Sequence, residues 1–595
     1  MSCPGPALPV EVYVQILNDL PGRDPSSLTT VVSCLSVSST LRAAALERSV
    51  WHNLYHSRYT HSDDDNEERR RELCGGDIRL MFIERYKADR HALRTLDLIR
   101  TVQGDTQSLA AQVVRDMSFD IWDALELECM LPIPVAFRDP TVDHWDKEAA
   151  PHALPRRFWA HALRGAIARH YAVKLWAAVR LRDESATFDN VLLGLSAFMD
   201  ASPKESLWEL ESLANRCRQR LLSLNLELDC ERPRYDLPAL LEAIRRFMQD
   251  EGFGIATGNA FVNSLHQFPS HFLREGRSAT LPMSMNWVFA GICRRLGIQA
   301  DPTNTPGRVL CHITSPHPQK GDMLFDVCSS TTPPLVFSNR DLTTRLAEAH
   351  MPLHSSRDAV FPADLALMIR RAASNIIHAN RAELEISGLP PNGKSHRTLY
   401  AARIAASAAI LPVGHNVVPR LDDVVSFMPA EWPLDEGSVV RAALSLVSSV
   451  ENPEATSSHS RQIRRRPRGM ETFVGQLLLD ENELLCVYGW EVNSNCTRSM
   501  EARTDTNPHA KIRETPDGSS RTLVRLTKEL AHMVRQELPC FDRYFEDAVI
   551  PRKDGTGGRL VPSAELQAAY PDDFEYGVRW TEEQLRRAER EEARE

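Results

Sequence analysis

At 595 residues the chain exceeds what one hydrophobic core usually serves, so its length predicts several domains. Apolar residues make up 43% and charged residues 25%, the composition of a soluble globular protein. The formal net charge of −10 gives no global reason to expect nucleic acid or an anionic membrane as partner.

The 12 cysteines are scattered singly, with no CxxC, which argues against a zinc ribbon or a thioredoxin-type site and fits a reducing compartment. The opening MSCPGPALPVEVY lacks the basic and apolar regions of a signal peptide. The longest apolar stretch, near Ala401–Val413, contains Arg403 and falls short of the ~20 residues a membrane span needs. The expectation is a cytoplasmic or nuclear protein with no membrane contact, no metal and no cofactor.

Leu8-Pro9-Val10-Glu11-Val12 predicts the start of a helix, with Pro9 in the first turn, where a missing N–H costs nothing. Val12, Ile16, Leu17 and Leu20 line one face. Asp24-Pro25 marks a break. Leu28, Val31, Val32 and Leu35 begin a second stripe that Leu41, Ala45 and Leu46 continue, and Trp51 with Leu54 closes the unit. About fifty residues bury too little surface to be very stable alone, so a three-helix unit with leftover apolar positions invites a partner helix. His52 and His56 stand four apart, as metal ligands can. With no Glu between them and no third ligand, an exposed helix face is the better reading.

The order LPxEVxxxILxxL, a Pro-containing turn, LxxV, a Ser-Thr-Leu-Arg stretch and a final VWxxLY resembles the F-box over Leu8–Tyr55. That resemblance implies binding to the adaptor of the SCF complex, and through it to cullin and the RING subunit. The adaptor-facing positions it implies are Leu8, Pro9, Val12, Ile16, Leu17, Leu20, Leu28, Val32, Trp51 and Leu54.

The run Asp63–Asp65, Glu67, Glu68 and Arg69–Arg71 is expected to be a solvated helix face or linker. Helix-period patterns dominate residues 80–250, as in Trp159–Arg182 and Leu237–Gln249, where Leu240, Leu241, Ile244 and Phe247 share a face. Residues 250–350 predict one helix and then strands, and helix returns at Ala359–Arg371 and Gly437–Val447.

Phe188-Asp189-Asn190-Val191-Leu192-Leu193, then LPMSMNWVFAGICRRLGIQADP and Thr305-Pro306-Gly307-Arg308, are similar to the transglutaminase-like family over Phe188–Ser330. In such a site a cysteine at a helix N-terminus is held as thiolate, a histidine on the next strand deprotonates it and an acid orients the histidine. The resemblance places these positions at Pro282, Arg308 and Asp326, on a helix Pro282–Leu296 and strands Arg308–Thr314 and Met323–Val327. Proline is no nucleophile and arginine stays protonated, so a degenerate site used for binding is expected. Cys293 reads as a small core hydrophobe. A rescue by Cys311 or Cys328 with His312 is opposed by strand alternation, because Cys311 and His312 must face opposite sides of the sheet.

Asn452–Gly469, with Arg461, Arg464, Arg465, Arg466 and Arg468, predicts a flexible linker with a nuclear import signal as the alternative. Strands are predicted at Phe473–Leu479, Leu484–Tyr488 and Arg521–Leu526, separated by turns such as Pro516-Asp517-Gly518. Val487-Tyr488-Gly489-Trp490-Glu491, Arg543-Tyr544-Phe545 and Leu560-Val561-Pro562 resemble the YccV-like, hemimethylated-DNA-binding family over Phe473–Asp573, which implies a small β-barrel. Tyr488, Trp490, Tyr544 and Phe545 are its candidate ligand-binding residues. Residues 471–579 carry 13 Lys and Arg against 19 Asp and Glu, a net of −6, which opposes duplex binding and favours protein recognition. Gly555, Gly557 and Gly558 lack the Gly-Lys-Ser/Thr of a phosphate loop. Trp580–Glu595 predicts a charged helix capped by Thr581, with Gln584 at the capping-box position.

The predicted architecture is multidomain α+β: an F-box at 1–60, helical 61–187, a transglutaminase-like papain-type α+β domain at 188–350, a helical extension 351–451, a linker 452–470, a YccV-like barrel 471–579 and a terminal helix 580–595. The three resemblances occur in this order in the F-box only protein 21-like family. They imply a non-catalytic substrate receptor whose partners are the SCF adaptor, cullin and an unknown protein substrate. The alternatives are a cysteine hydrolase or transglutaminase using a displaced thiol, and a DNA-binding protein.

Overall fold

The computed structural model describes residues 8–139, 148–183, 186–305, 309–317, 321–329, 336–338, 359–387, 393–413, 432–445, 463–466, 472–480, 483–493, 496–503, 522–538, 540–551 and 558–592, with a few single positions besides. Its contacts divide the chain into two compact units, Met1–Ile167 with Ala455–Glu595, and Ala168–Glu454. The fold is mostly helical with a few small sheets.

The first unit opens on four helices where three were expected: α1 (Val10–Asn18), α2 (Pro25–Val37), α3 (Ser39–Leu46) and α4 (Arg48–Arg58). Pro9 takes the N-cap of α1 rather than its first turn. Asp24 caps α2 by accepting from Ser26 N at 2.9 Å. The extra break falls at Ser38, whose hydroxyl accepts from Leu41 N at 3.1 Å and starts a new helix. Leu17, Val31, Ala45, Trp51, Leu54 and Tyr55 pack with Met81 and Phe82 into one core. The Trp51 indole N–H donates to Ala45 O at 2.8 Å.

This packing corrects part of the expected adaptor surface. Leu17, Trp51 and Leu54 are buried, and Leu20 and Leu28 lie half-buried against the same core. Leu8, Val12, Ile16 and Val32 are exposed, at 49%, 38%, 51% and 49%.

The charged run forms α5 (Asp64–Leu73), capped by Asp63, and Arg70 departs from the solvated face expected there. It is buried and pairs with Glu67 and Asp120. Next come α6 (Ile78–Arg100), α7 (Thr106–Asp116), α8 (Trp122–Cys129) and α9 (Ala153–Leu181), and the division between units falls within α9. Arg85 of α6 is fully buried, donates to the carbonyls of His61 (2.8 Å) and Asp120 (2.7 Å), and lies 4.4 Å from the Tyr59 ring centroid.

In the second unit, α10 (Phe188–Leu193), α11 (Pro203–Ser223), α12 (Leu237–Asp250), α13 (Pro269–Phe272) and α14 (Pro282–Arg295) precede a four-stranded antiparallel sheet. Its strands are short: β1 (Ala300–Pro302), β2 (Cys311–Ile313), β3 (Met323–Phe325) and β4 (Val336–Ser338), paired in chain order with Asp301, His312, Leu324 and Phe337 in register. The next helix, α15 (Leu365–Ser387), begins six residues later than its apolar pattern predicts. Pro362 pairs with Thr303 and Ala363 N donates to Pro302 O at 2.9 Å, so the chain runs along the sheet before Asp364 caps the helix. Then follow α16 (Gly393–Ile410) and the short α17 (Arg441–Ser445).

Residues 472–592 return to the first unit. β5 (Leu477–Asp480), β6 (Glu483–Asn493), β7 (Cys496–Arg503) and β8 (Thr522–Leu523) form an antiparallel sheet in the order β7-β6-β5-β8, and β9 (Phe545–Val549) pairs with β10 (Arg559–Pro562). No described strand pairing joins these sheets into a closed barrel. The helices are α18 (Lys528–Glu537), α19 (Phe541–Tyr544), α20 (Ala564–Ala569) and α21 (Pro571–Glu592). Gly475, at φ +94°, accepts from Leu560 N and donates to Val487 O, each at 2.8 Å. A Cβ there would stand 2.3 Å from Leu560 O, so only glycine fits. The core of this region takes in Ile133, Phe137, Ala153 and Leu154 from far earlier in the chain.

Two expectations fail here. Thr581 does not cap the last helix: α21 starts at Pro571, and Thr581 is buried within it, its hydroxyl donating to Gly577 O at 2.7 Å. Nor are Arg464–Arg466 a free linker. Arg464 donates to Trp490 O at 3.0 Å, Arg465 pairs with Asp572 at 2.8 Å, and Arg466 pairs with the buried Asp573. Arg461 and Arg468 lie outside the described residues.

Candidate functional site

The second unit is built around α14, which is buried on nearly every side from Met283 to Cys293. Pro282 stands in its first turn, where the ring's fixed φ suits a helix start. The helix closes in a Schellman turn: Gly297 (φ +88°) donates to Arg294 O at 3.1 Å and Ile298 to Cys293 O at 2.9 Å. Gly291 lets α11 come close, since a Cβ there would lie 2.8 Å from Leu210. Arg294 and Arg295 in the last turn complement the helix dipole and both pair with Asp189.

The three positions that the resemblance assigns to a thiol mechanism are placed differently. Pro282 occupies the helix start and offers no side-chain nucleophile of its own. Arg308 lies outside the described residues. Asp326 is fully buried just past β3, and its Oδ1 accepts from Cys328 N at 3.1 Å. The buried Asn286 braces the region, its amide donating to Pro282 O at 2.8 Å and Val309 O at 3.1 Å.

Cys311 and His312 do not come together as a thiol and its base. Cys311 points into the core, and burial holds its thiol well above the ordinary range. Burial does the same to Cys293. His312, on the opposite side of β2, faces Asp322 at 3.4 Å and Phe361, and burial lowers its pKa. Cys328 is half-buried, with its sulfur 3.9 Å from both Pro282 O and the Asn286 amide. It lines a cleft of about 180 Å³ together with Arg245 and Met285. Alkylation of the native chain near neutral pH is therefore expected to modify Cys293 and Cys311 at least ~100-fold more slowly than a free peptide thiol, and both rapidly in denaturant. Mass spectrometry of the labelled peptides reads this directly. Fast native labelling of either would mean an accessible, activated thiol.

A larger cleft, about 390 Å³, opens beside the α14 N-terminus. One wall carries Leu281, Pro282 and Met283, and the other is a face of α15 with Arg371, Asn375 and His378. The sequence reading missed α15 as a lining element because it is about ninety residues downstream of α14. Its trace in the sequence is a column of polar residues at i, i+4 and i+7, Arg371, Asn375 and His378.

In the C-terminal region the four candidate aromatics separate. Trp490 and Phe545 are core residues, and the Trp490 indole donates to Asp573 Oδ2 at 3.0 Å, which corrects their assignment as ligand-facing. Tyr488 and Tyr544 are half-buried and stack at 5.6 Å, and burial pushes the Tyr544 phenol up to about 12. Among the described residues no group of three or more His, Cys, Asp and Glu is placed to hold a metal ion, and no helix is long and apolar enough to cross a membrane. The His52 and His56 rings lie 4.3 Å apart on α4.

No curated protein and no solved structure matches the chain. A family model does match: that of the transglutaminase-like superfamily, over residues 204–374, from the first turn of α11 into the first half of α15. The segment that holds α14 and the four-stranded sheet is a transglutaminase-like domain.

Proposed function

We propose that the protein is an F-box substrate receptor of an SCF-type, cullin-based ubiquitin ligase, with no bond-making role of its own. The observation that carries this reading is the exposed apolar set Val12 and Ile16 on α1 with Leu8 just before it, left uncovered while Leu17, Trp51 and Leu54 pack the core of the bundle. A bundle of this size gains by letting another polypeptide's helix cover such a set. Val32 on α2 is a further exposed apolar side chain. The F-box-like pattern over Leu8–Tyr55 names the SCF adaptor, and through it cullin, as that polypeptide.

The transglutaminase-like domain and the YccV-like region serve as target-holding modules in this scheme. Pro282 at the position that the resemblance gives the nucleophile, and the Cys293 and Cys311 thiols held protonated by burial, favour binding over transfer. Catalysis is left to a partnered conjugating enzyme, and the receptor contributes proximity by raising the effective concentration of a target lysine. For the YccV-like region, acidity and the burial of Trp490 and Phe545 favour a protein over a nucleic acid.

Co-expression with a folded SCF adaptor tests the reading. The two chains are expected to co-elute on gel filtration. Elution of the wild-type chain as a free species beside unbound adaptor would refute it.

A further inference from the structure

The cleft between the α14 N-terminus and α15 has an unbalanced charge among its described residues. Arg371 is half-buried at its wall, no Asp or Glu lines the cleft among the described residues, and burial pulls the guanidinium below its ordinary pKa. Among the described residues its side chain makes one hydrogen bond, from Nη1 to Asn304 Oδ1 at 3.1 Å, which fixes the plane of the fork and leaves its other N–H groups for a ligand. Such a fork matches a carboxylate, and a single cation balances a single negative charge.

The other polar groups ask for amides. Among the described residues the side chains of Gln267 and His378 make no hydrogen bond, and the Asn375 amide has only the Met283 sulfur at 3.9 Å, a weak partner. The rest of the lining is apolar, including Phe261, Leu281 and Val309. At about 390 Å³ the cleft falls at the small end of ligand pockets (roughly 300–1,000 Å³), a size for a chain end rather than a long bound segment.

We propose that this cleft binds the free C-terminus of a protein, with Arg371 taking the terminal carboxylate, the Asn375 and Gln267 amides pairing with the last peptide groups, and the apolar wall taking an apolar last side chain. The proposal rests on the substrate-receptor reading, for which it supplies a class of target: proteins that present an exposed, apolar-ended C-terminus. It uses the place where a transglutaminase would hold its thiol, with Pro282 now part of the apolar wall.

The test uses full-length protein and a fluorescein-labelled hexapeptide, Gly-Ser-Gly-Ala-Phe-Leu, as free acid and as C-terminal amide, read by polarisation. The acid is expected to bind at least ~10-fold more tightly than the amide, the cost of an unpaired buried charge. Arg371→Met is expected to abolish that difference, Arg371→Lys to restore part of it, and Ala382→Trp to block both peptides by filling the cleft. Equal binding of acid and amide, an acid preference that survives Arg371→Met, or no binding of either peptide would overturn the proposal. So would octanoate binding that depends on Arg371 without any peptide binding. Adaptor capture by the Arg371→Met chain serves as the folding control. It reports on the ligase role independently, because that role depends on α1 and not on this cleft.

Discussion

Chains carrying Ile16→Asp together with Val32→Asp are expected to lose the SCF adaptor completely in co-purification while remaining folded. Both side chains are about half exposed in the chain alone, so neither contributes its full burial to the bundle's own stability. Covering the remaining apolar surface would supply about 1 kcal/mol at each site. A carboxylate forced into the same dry contact costs several kcal/mol more unless it finds a partner. Together these exceed ~4 kcal/mol, or roughly a thousand-fold in affinity. The thermal midpoint is expected to move by no more than ~2 °C, since both residues face solvent in the free chain. Trp51→Ala is the instructive contrast. Trp51 is buried and bonded to Ala45 O, so its loss should destabilise the bundle itself by ~3–5 kcal/mol and would confound any reading of binding. Undiminished adaptor capture by the double aspartate chain would remove the basis of the ligase proposal.

Separating Arg169 from Asp435 is expected to have the largest effect on stability in the second unit. Both side chains are fully buried, joined by Arg169 Nε to Asp435 Oδ2 at 2.5 Å and Nη2 to Oδ1 at 3.2 Å. The guanidinium also lies 4.3 Å from the Trp432 ring centroid. Burial raises the Asp435 carboxyl above its ordinary pKa in spite of the arginine, so desolvation consumes much of what the pair gains by attraction. Asp435→Ala or Arg169→Met alone strands a charge in the interior and should cost ~3–5 kcal/mol. The double change Arg169→Met with Asp435→Leu removes both charges and should cost less than either single one. Urea unfolding followed by hydrogen exchange in α10 and α11 isolates this unit from the other. A double variant less stable than both singles would mean that the pair is a net stabiliser, contrary to this account.

How much of this could be read from the residues differs by element, for physical reasons. α12 and α14 were legible almost to the residue, because each begins beside a proline and carries a helical apolar pattern. The start of α14 at Pro282 was legible for the same reason, because proline suits a first turn. The break at Ser38 was missed because one hydroxyl cap, invisible to hydrophobic periodicity, outweighs a continuous apolar stripe. Arg70, Arg464 and Arg466 were read as solvated because charge runs usually are. Each is instead paired with a carboxylate or carbonyl distant in sequence: Asp120, Trp490 O and Asp573. The two clefts were out of reach for a related reason. Their walls come from segments separated by tens of residues, and only the fold brings Arg371 beside Pro282.

The core that joins Phe137, Ala153 and Leu154 to residues from Val474 onward has a temporal meaning as well as a spatial one. During synthesis those early side chains leave the ribosome some three hundred residues before their partners exist. At roughly 5–20 residues per second that interval is on the order of tens of seconds. For that time the nascent chain must carry unsheltered apolar surface while the intervening unit, continuous in sequence, can already fold. The first unit can reach its final packing only after α21 is made, because Asp573 near its start holds both the Val474 N–H and the Trp490 indole.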